Sequence, residues 1–203
     1  MSASQQAYWR AQARRYDRVT LILNRRFSEM ARAVAGLTTG AGDVLEVAAG
    51  TGLITAEIAS GVGRLVATDA SAEMLALLQG RMAESDNVQV RQADALALDF
   101  PDASFDVVVI GNLLHLLPEP TQAIQEARRV LRPGGLLIAP TFCHGQGLVA
   151  QLISRLLGLI GFPIVTRFKG RELETLLEQE GLSVEEARWI PGLLPLRLAA
   201  ARG

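Results

Sequence analysis

The sequence is poor in several features that mark particular classes of protein. It has a single cysteine, Cys143, in 203 residues, which excludes an intramolecular disulfide framework and a zinc site built from several thiolates. Aromatic residues make up 5% and charged residues 20%, whereas hydrophobic residues make up 49%. Disordered chains have few apolar residues and many charges, so this composition predicts a folded chain with a substantial core.

Targeting and charge signals are also weak. No apolar region of the secretory type follows Met1, and we therefore expect a cytoplasmic protein. The longest apolar tract, 148–165, is interrupted by polar residues and a proline, which disfavours a membrane span. The net charge of −1 predicts no nucleic-acid partner. Residues 1–32 nevertheless carry a net charge of +5, as either a solvated helical face or a surface for anionic groups.

The spacing of apolar residues predicts the order of helices and strands. Residues 3–35 lack glycine and proline and have apolar residues at three- to four-residue steps, which indicates two helices. Pro195 favours a sheet-edge position for the last strand. The predicted strands are 44–47, 64–68, 88–92, 105–111, 136–141, 182–190 and 194–200, and the predicted helical stretches between the first five are 53–60, 72–84, 112–117 and 119–131.

Strands rich in valine and isoleucine that alternate with helices are typical of a parallel sheet covered on both faces. The sequence therefore predicts an α/β fold of the doubly wound, Rossmann-like type. We expect seven mostly parallel strands, an antiparallel edge strand and N-terminal helices. No linker or repeat divides the chain, so we expect one domain over 1–203, with 1–38 as a helical cap.

A small-residue loop gives the clearest chemical signal. The strand at 44–47 runs directly into alanines and glycines at 48–52 and then into a helix. Such a turn lets a ligand approach the backbone and meet free amides at the helix N-terminus. The next strand ends in Asp69, 17 residues beyond Gly52, where a carboxylate can accept hydrogen bonds from ribose hydroxyls. These features favour a nucleoside-cofactor site over an ordinary turn with a capping aspartate.

Both NAD and S-adenosylmethionine contain adenosine, so the loop must be compared with each pattern. The NAD fingerprint G-x-G-x-x-G fails at its third position, which is Thr55. Lys169 is the only lysine, and no Tyr-x-x-x-Lys pair exists. A nicotinamide-dependent oxidoreductase is therefore the alternative reading, together with a non-catalytic protein that binds an adenosyl ligand.

Five ordered motifs within residues 40–142 resemble the class I S-adenosylmethionine-dependent methyltransferases, in particular their small-molecule and quinone-methylating branch. Residues 46–52 resemble the family's acidic-x-G-x-G-x-G loop, with Ala48 in place of the first glycine. Residues 68–74 resemble the second motif, which implies that Asp69 holds the ribose and that Met74 packs near the adenine. Residues 92–100 resemble the third motif, which implies an adenine contact from Asp94 and a backbone amide from Ala95.

The segments 105–117 and 127–138 resemble the fourth strand with its loop and the fifth strand with its preceding helix. The resemblance implies transfer of a methyl group from S-adenosyl-L-methionine to a small acceptor, by a transferase that needs no metal. The implied cofactor-binding residues are Glu46, Ala48, Gly50, Gly52, Asp69, Ala70, Met74, Asp94, Ala95 and Asn112.

Two histidines are the candidates for proton transfer, because histidine titrates near neutrality. His115 lies in the loop after the fourth strand and His144 follows the fifth strand. A general base is needed only where the acceptor is protonated. The alternative is that His115, flanked by leucines, only packs. We expect Cys143 to be buried and to have no role in catalysis.

Segment 145–170 is the predicted substrate lid. Its apolar residues at helical spacing are Leu148, Leu152, Leu156, Leu159 and Ile160. A lid with an apolar inner face suits a hydrophobic acceptor that is lipid-like or aromatic. Two alternatives stay open, namely that the helix completes the core or that it forms an interface. A transient contact with a membrane is also left open.

Overall fold

Seven strands form one sheet in the order β3-β2-β1-β4-β5-β7-β6. The structure is a computed structural model and describes residues 27–144, 147–159, 165–192 and 194–203. The strands are β1 (Asp43–Val47), β2 (Arg64–Asp69), β3 (Val88–Gln92), β4 (Phe105–Ile110), β5 (Leu131–Phe142), β6 (Ser183–Ile190) and β7 (Leu196–Arg202).

Helices cover both faces of this sheet. The first of the two predicted N-terminal helices lies outside the described residues. The predicted helix at 53–60 is a short α-helix followed by a 3-10 turn at Ala59–Gly61, and the loop after β4 contains another 3-10 turn at Leu114–Leu116. The α-helices are α1 (Phe27–Thr38), α2 (Thr55–Ile58), α3 (Ala72–Arg81), α4 (Pro120–Val130), α5 (Gly147–Leu159) and α6 (Glu172–Gln179).

The predicted doubly wound, mostly parallel sheet is confirmed, with one correction. Strand β7 is antiparallel to both of its neighbours and lies between β5 and β6, so it is not the edge strand. Pro195 precedes β7, which begins at Leu196, and its missing N–H therefore removes no hydrogen bond from the ladder. Strand β6 forms the edge instead.

Strand β5 also begins earlier than predicted. The sequence at 133–135 is Pro-Gly-Gly and indicates a turn, but the strand runs from Leu131. The pairing with β4 is irregular there, because Phe105 pairs with Leu131 while Val107 pairs with Leu136. A bulge thus absorbs the residues that predicted a turn.

The core has two main parts, one on each face of the sheet. On one face Leu45, Val108 and Leu137 pack with residues of α4 and α6. On the other face Val44, Val109 and Ile138 pack with residues of α1. The strand order reverses between β1 and β4, and the chain leaving the carboxyl ends of these two strands diverges. Open α/β sheets bind ligands in the crevice at such a point.

Candidate active site

A cleft lies at this crevice, at the carboxyl ends of β1 to β4. Its walls come from the loops that follow these four strands, where ligands of open α/β sheets bind. Apolar side chains and a few polar groups share its lining. The lining residues are Ala48, Gly50, Asp69, Ala70, Met74, Ala93, Asp94, Ala95, Gly111, Asn112, Leu113, Leu116 and Leu117.

The loop after β1 has the backbone conformation that its glycines predicted. Gly50 and Gly52 have φ angles of 57° and 84°, and Ala48 has a φ of 60°. A side chain at Gly52 would place its Cβ 2.3 Å from Leu78 Cδ1, so that position requires glycine. Ala48 adopts a conformation that costs a residue with a Cβ about 1–2 kcal/mol. This explains why glycine is the expected residue there and why a small residue is still accommodated.

Asp69 stands at the tip of β2 and is held by the two neighbouring loops. Its Oδ2 accepts a hydrogen bond of 2.9 Å from the Gly50 N–H, and its Oδ1 accepts one of 2.9 Å from the Ser71 N–H. Burial raises the pKa of this carboxyl above its ordinary value, although the backbone N–H groups act against that shift. A carboxylate offers about four lone-pair sites, more than these N–H groups occupy. The orientation is therefore fixed while hydrogen-bonding capacity is left for a ligand.

The remaining polar groups of the cleft come from the loops after β3 and β4. Asp94 is exposed, and its Oδ1 accepts a hydrogen bond of 3.1 Å from the Leu96 N–H. Asn112 is buried with a φ of 54°, and its Oδ1 accepts a hydrogen bond of 3.0 Å from the Phe142 N–H. The Asn112 side chain thus ties the loop after β4 to the end of β5.

Two of the predicted cofactor residues do not line the cleft. Gly52 lies under the loop against Leu78. Glu46 is fully buried, and its Oε2 accepts a hydrogen bond of 2.6 Å from the Thr55 hydroxyl. Burial raises the pKa of Glu46 to about 8, with a further contribution from the charge of Asp69. The carboxyl is therefore mostly protonated at neutral pH and joins β1 to α2 beneath the loop.

The two predicted proton acceptors lie side by side behind the cleft lining. His115 and His144 are 1% and 0% exposed, with ring centroids 5.1 Å apart, and Phe142 packs against both. Burial lowers the pKa of His115 well below its usual range and lowers that of His144 to about 4. Both rings are neutral at pH 7. Cys143 is buried as expected, and burial raises the pKa of its thiol to about 12.

The chain is similar in sequence to a known protein family. Residues 45–139 match the model of a family described as a methyltransferase domain. This segment is slightly less than half of the chain and is called the methyltransferase domain below, after the family model that it matches.

Two curated relatives of this methyltransferase domain have different acceptors in their names. The demethylmenaquinone methyltransferase of Clavibacter sepedonicus is 36% identical over 130 residues, which are 63% of this chain and 53% of that one. The phosphatidylethanolamine N-methyltransferase of Cereibacter sphaeroides is 37% identical over 125 residues, which are 60% of this chain and 61% of that one. The chain thus spans between half and two thirds of the length of these relatives.

A solved structure has the same fold as the methyltransferase domain. The N-methyltransferase NodS of Bradyrhizobium japonicum WM9, in complex with S-adenosylhomocysteine, superposes with a TM-score of 0.71 at 19% identity. The superposition covers 88% of this chain and 86% of that one. At this identity the likeness establishes the fold.

Sequence reasoning missed several residues that line the cleft of the methyltransferase domain. Ala93 and Gly111 each directly follow a strand, and the signal that identifies them is that position at a carboxyl end. A Cβ on Gly111 would lie 2.9 Å from the Ala48 carbonyl oxygen, so these two loops approach closely. Leu113, Leu116 and Leu117 belong to the loop after β4, and nothing in their sequence pattern distinguishes a cleft wall from core.

Two negative results concern the described part of the chain. Within it, no group of three or more His, Cys, Asp or Glu side chains is arranged to hold a metal ion. Its helices also include none that is long and apolar enough to cross a membrane.

Proposed function

We propose that the protein transfers a methyl group from S-adenosylmethionine to a small, apolar acceptor. The observation that carries this proposal is Asp69, whose carboxylate is fixed at the edge of the cleft by the Gly50 and Ser71 N–H groups. An acid in that place, inside a methyltransferase domain, suits the hydroxyls of a ribose.

The cleft residues fit this cofactor. We propose that Asp69 accepts hydrogen bonds from the ribose, that Ala70 and Met74 pack against the adenosine, and that Asp94 and Ala95 meet the adenine edge. Ala48, Gly50 and Asn112 would line the remaining length of the cofactor. Gly50 has open space where a Cβ would project, which agrees with close approach of a ligand to its backbone. Glu46 and Gly52 support the loop from below.

Bound S-adenosylmethionine supplies a methyl group that is already activated on a sulfonium. The chain therefore has to align the acceptor and exclude water, and well-oriented reactants gain about 7–11 kcal/mol in favourable cases. The apolar wall formed by Leu113, Leu116 and Leu117 serves this purpose next to the polar groups of the cleft.

The proposed acceptor is lipid-like or aromatic. Its support is the apolar wall of the cleft and the names of the two relatives, one acting on a demethylmenaquinone and one on phosphatidylethanolamine. The net charge of −1 disfavours nucleic acid as the acceptor. We place this activity in the cytoplasm.

The proposed organisation is a single methyltransferase domain over 1–203, with 1–38 as a cap and 145–170 as a lid. The described end of the lid contacts the loop after β4, because the Val165 and Thr166 N–H groups donate to the His115 carbonyl oxygen at 3.1 and 3.0 Å. That loop also contributes Leu116 and Leu117 to the cleft. A movement of the lid would therefore also displace the apolar wall.

We propose that His115 and His144 accept the proton when the methyl acceptor has to lose one. Their lowered pKa values keep both rings unprotonated throughout the neutral range and make them weak bases. Proton transfer requires that the methyl acceptor reach these buried rings.

The test is turnover with labelled cofactor. The purified protein is incubated with methyl-labelled S-adenosylmethionine and a panel of demethylated quinones, phenols and phospholipids, and label in the organic phase is counted. We expect label in at least one apolar acceptor, and less label with Asp69→Ala at the same limiting cofactor concentration. Cofactor binding without turnover on any acceptor would favour the non-catalytic adenosyl-binding protein. Hydride transfer from a nicotinamide cofactor would favour the oxidoreductase.

A further inference from the structure

Helix α5 exposes a continuous apolar face. Leu148 is 85% exposed, Val149 62%, Leu152 59% and Leu156 55%. The other exposed large apolar residues of the described chain are Leu77, Val165 and Trp189, none above 48%. Large apolar side chains gathered on one exposed face mark an interaction surface rather than ordinary surface variation.

The opposite side of α5 fixes the direction of this face. Ala150 and Ser154 are buried and Ile153 packs against the core. At about 100° per residue, Leu148, Leu152, Leu156 and Val149 fall within one arc of roughly 100°. Leu148, Leu152 and Leu156 of the predicted apolar face therefore lie together and are turned to solvent. The side chains of Leu159 and Ile160, which the prediction also included, lie outside the described residues.

The chain from the start of α5 to Gly170 carries charges of only one sign. No aspartate or glutamate occurs between residues 127 and 171. Arg155 is exposed and borders the apolar arc, and Arg167 and Lys169 are exposed in the segment after α5. None of the three makes an ion pair within the described chain. Arg167 directly follows Thr166, whose N–H donates to the His115 carbonyl oxygen, and the His115 ring lies 5.1 Å from the ring of His144, three residues before α5.

We infer that the exposed face of α5, with Arg155, Arg167 and Lys169, is a docking surface for an anionic phospholipid membrane. Helices with an apolar face and flanking arginine or lysine lie in the plane of the membrane interface. Anionic lipid headgroups attract such cations. A second copy of the chain fits less well, because a two-fold contact would bring the same cations together.

This surface is linked to the cleft by the contact of Val165 and Thr166 with the His115 carbonyl oxygen. Docking would therefore bring the apolar wall of the cleft close to the lipid phase. That consequence rests on the proposed function, since it gives a lipid-soluble acceptor a direct route to the cleft. The docking itself does not depend on it.

Vesicle flotation with the full chain tests the inference. The vesicles contain phosphatidylcholine alone or phosphatidylcholine with phosphatidylglycerol. We expect the wild type to float at least about tenfold better with phosphatidylglycerol, and flotation to fall with salt. Leu152→Gln with Leu156→Gln should weaken binding by at least about tenfold. Leu77→Gln, an exposed leucine on α3, is the matched control and should float like the wild type.

A charge variant and two further measurements complete the test. Arg155→Gln with Arg167→Gln should reduce binding to phosphatidylglycerol vesicles and leave binding to phosphatidylcholine unchanged. Calorimetry should give the same S-adenosylhomocysteine affinity for all variants, so that failure of docking is distinguished from failure of the cofactor site. The inference is overturned if the wild type does not float, if the double leucine variant floats equally well, or if light scattering shows a dimer that this variant dissociates.

Discussion

Replacing Glu46 with glutamine should change how the stability of the protein depends on pH. The carboxyl is 0% exposed and receives one hydrogen bond, from the Thr55 hydroxyl, and burial raises its pKa from 4.5 to about 8. In the unfolded chain the same carboxyl titrates near 4.5. The folded state thus binds the proton more tightly than the unfolded state does.

The direction and size of the effect follow from proton linkage. A raised pKa in the folded state gives stability that is fully present below pH 4.5 and is lost as pH rises to about 8. Each pH unit in that window costs up to about 1.4 kcal/mol, and the whole window at most about 5 kcal/mol. Glutamine keeps the shape and the acceptor for Thr55 but cannot ionise.

The assay is urea unfolding of wild type and Glu46→Gln between pH 4.5 and 9. The buried histidines act in the opposite direction, since their lowered pKa values remove stability as pH falls below about 6.5. Both proteins contain them, so the difference between the two curves isolates Glu46. Between pH 5 and pH 8, we expect the free energy of unfolding of Glu46→Gln to rise by several kcal/mol relative to that of the wild type.

Glu57→Gln on the exposed side of α2 is the control and should leave the pH dependence unchanged. A constant difference between wild type and Glu46→Gln across the whole range would refute the reasoning, because it would mean that Glu46 is ionised in the folded protein at neutral pH.

Three further predictions concern the cofactor, the loop and a buried ion pair. Asp69→Ala should weaken S-adenosylhomocysteine binding by about 1.5–3 kcal/mol in calorimetry, the scale of hydrogen bonds to a charged group, and an unchanged affinity would remove Asp69 from the ribose role. Gly52→Ala should lower the free energy of unfolding by about 2–4 kcal/mol because its Cβ meets Leu78 at a positive φ, whereas Gly80→Ala, with open space in α3, should raise it by about 0.5 kcal/mol; equal effects would contradict this. Glu174→Ala should cost about 3–5 kcal/mol in urea unfolding because it leaves the buried Arg197 without its carboxylate, and a loss below 1 kcal/mol would show that the guanidinium is hydrated.

The sheet and the centre of the site could be predicted because their signals are local. Valine and isoleucine runs between turn residues identify the strands, and the glycines at 50 and 52 have the positive φ angles that only a tight loop requires. Asp69 could be identified because it directly follows β2, and the carboxyl ends of neighbouring parallel strands meet at one edge.

Features that depend on tertiary packing could not be predicted. The sequence indicates that Glu46 is a site residue. Whether its side chain points to the cleft or beneath the loop depends on the neighbouring helix, which carries Thr55. His115 and His144 follow β4 and β5, and the pairing of these two strands brings their rings to within 5.1 Å. The apolar period of α5 gives one face but not its direction, which is set by Ala150 and Ser154 packing inward.

Isothermal titration calorimetry of the wild-type chain with S-adenosylhomocysteine and with NAD tests the central claim most directly. The account predicts saturable binding of S-adenosylhomocysteine at one site and no measurable binding of NAD, because the loop after β1 and Asp69 fit an adenosyl ligand without a pyrophosphate. Tighter binding of NAD, or no binding of S-adenosylhomocysteine by a folded protein, would contradict it.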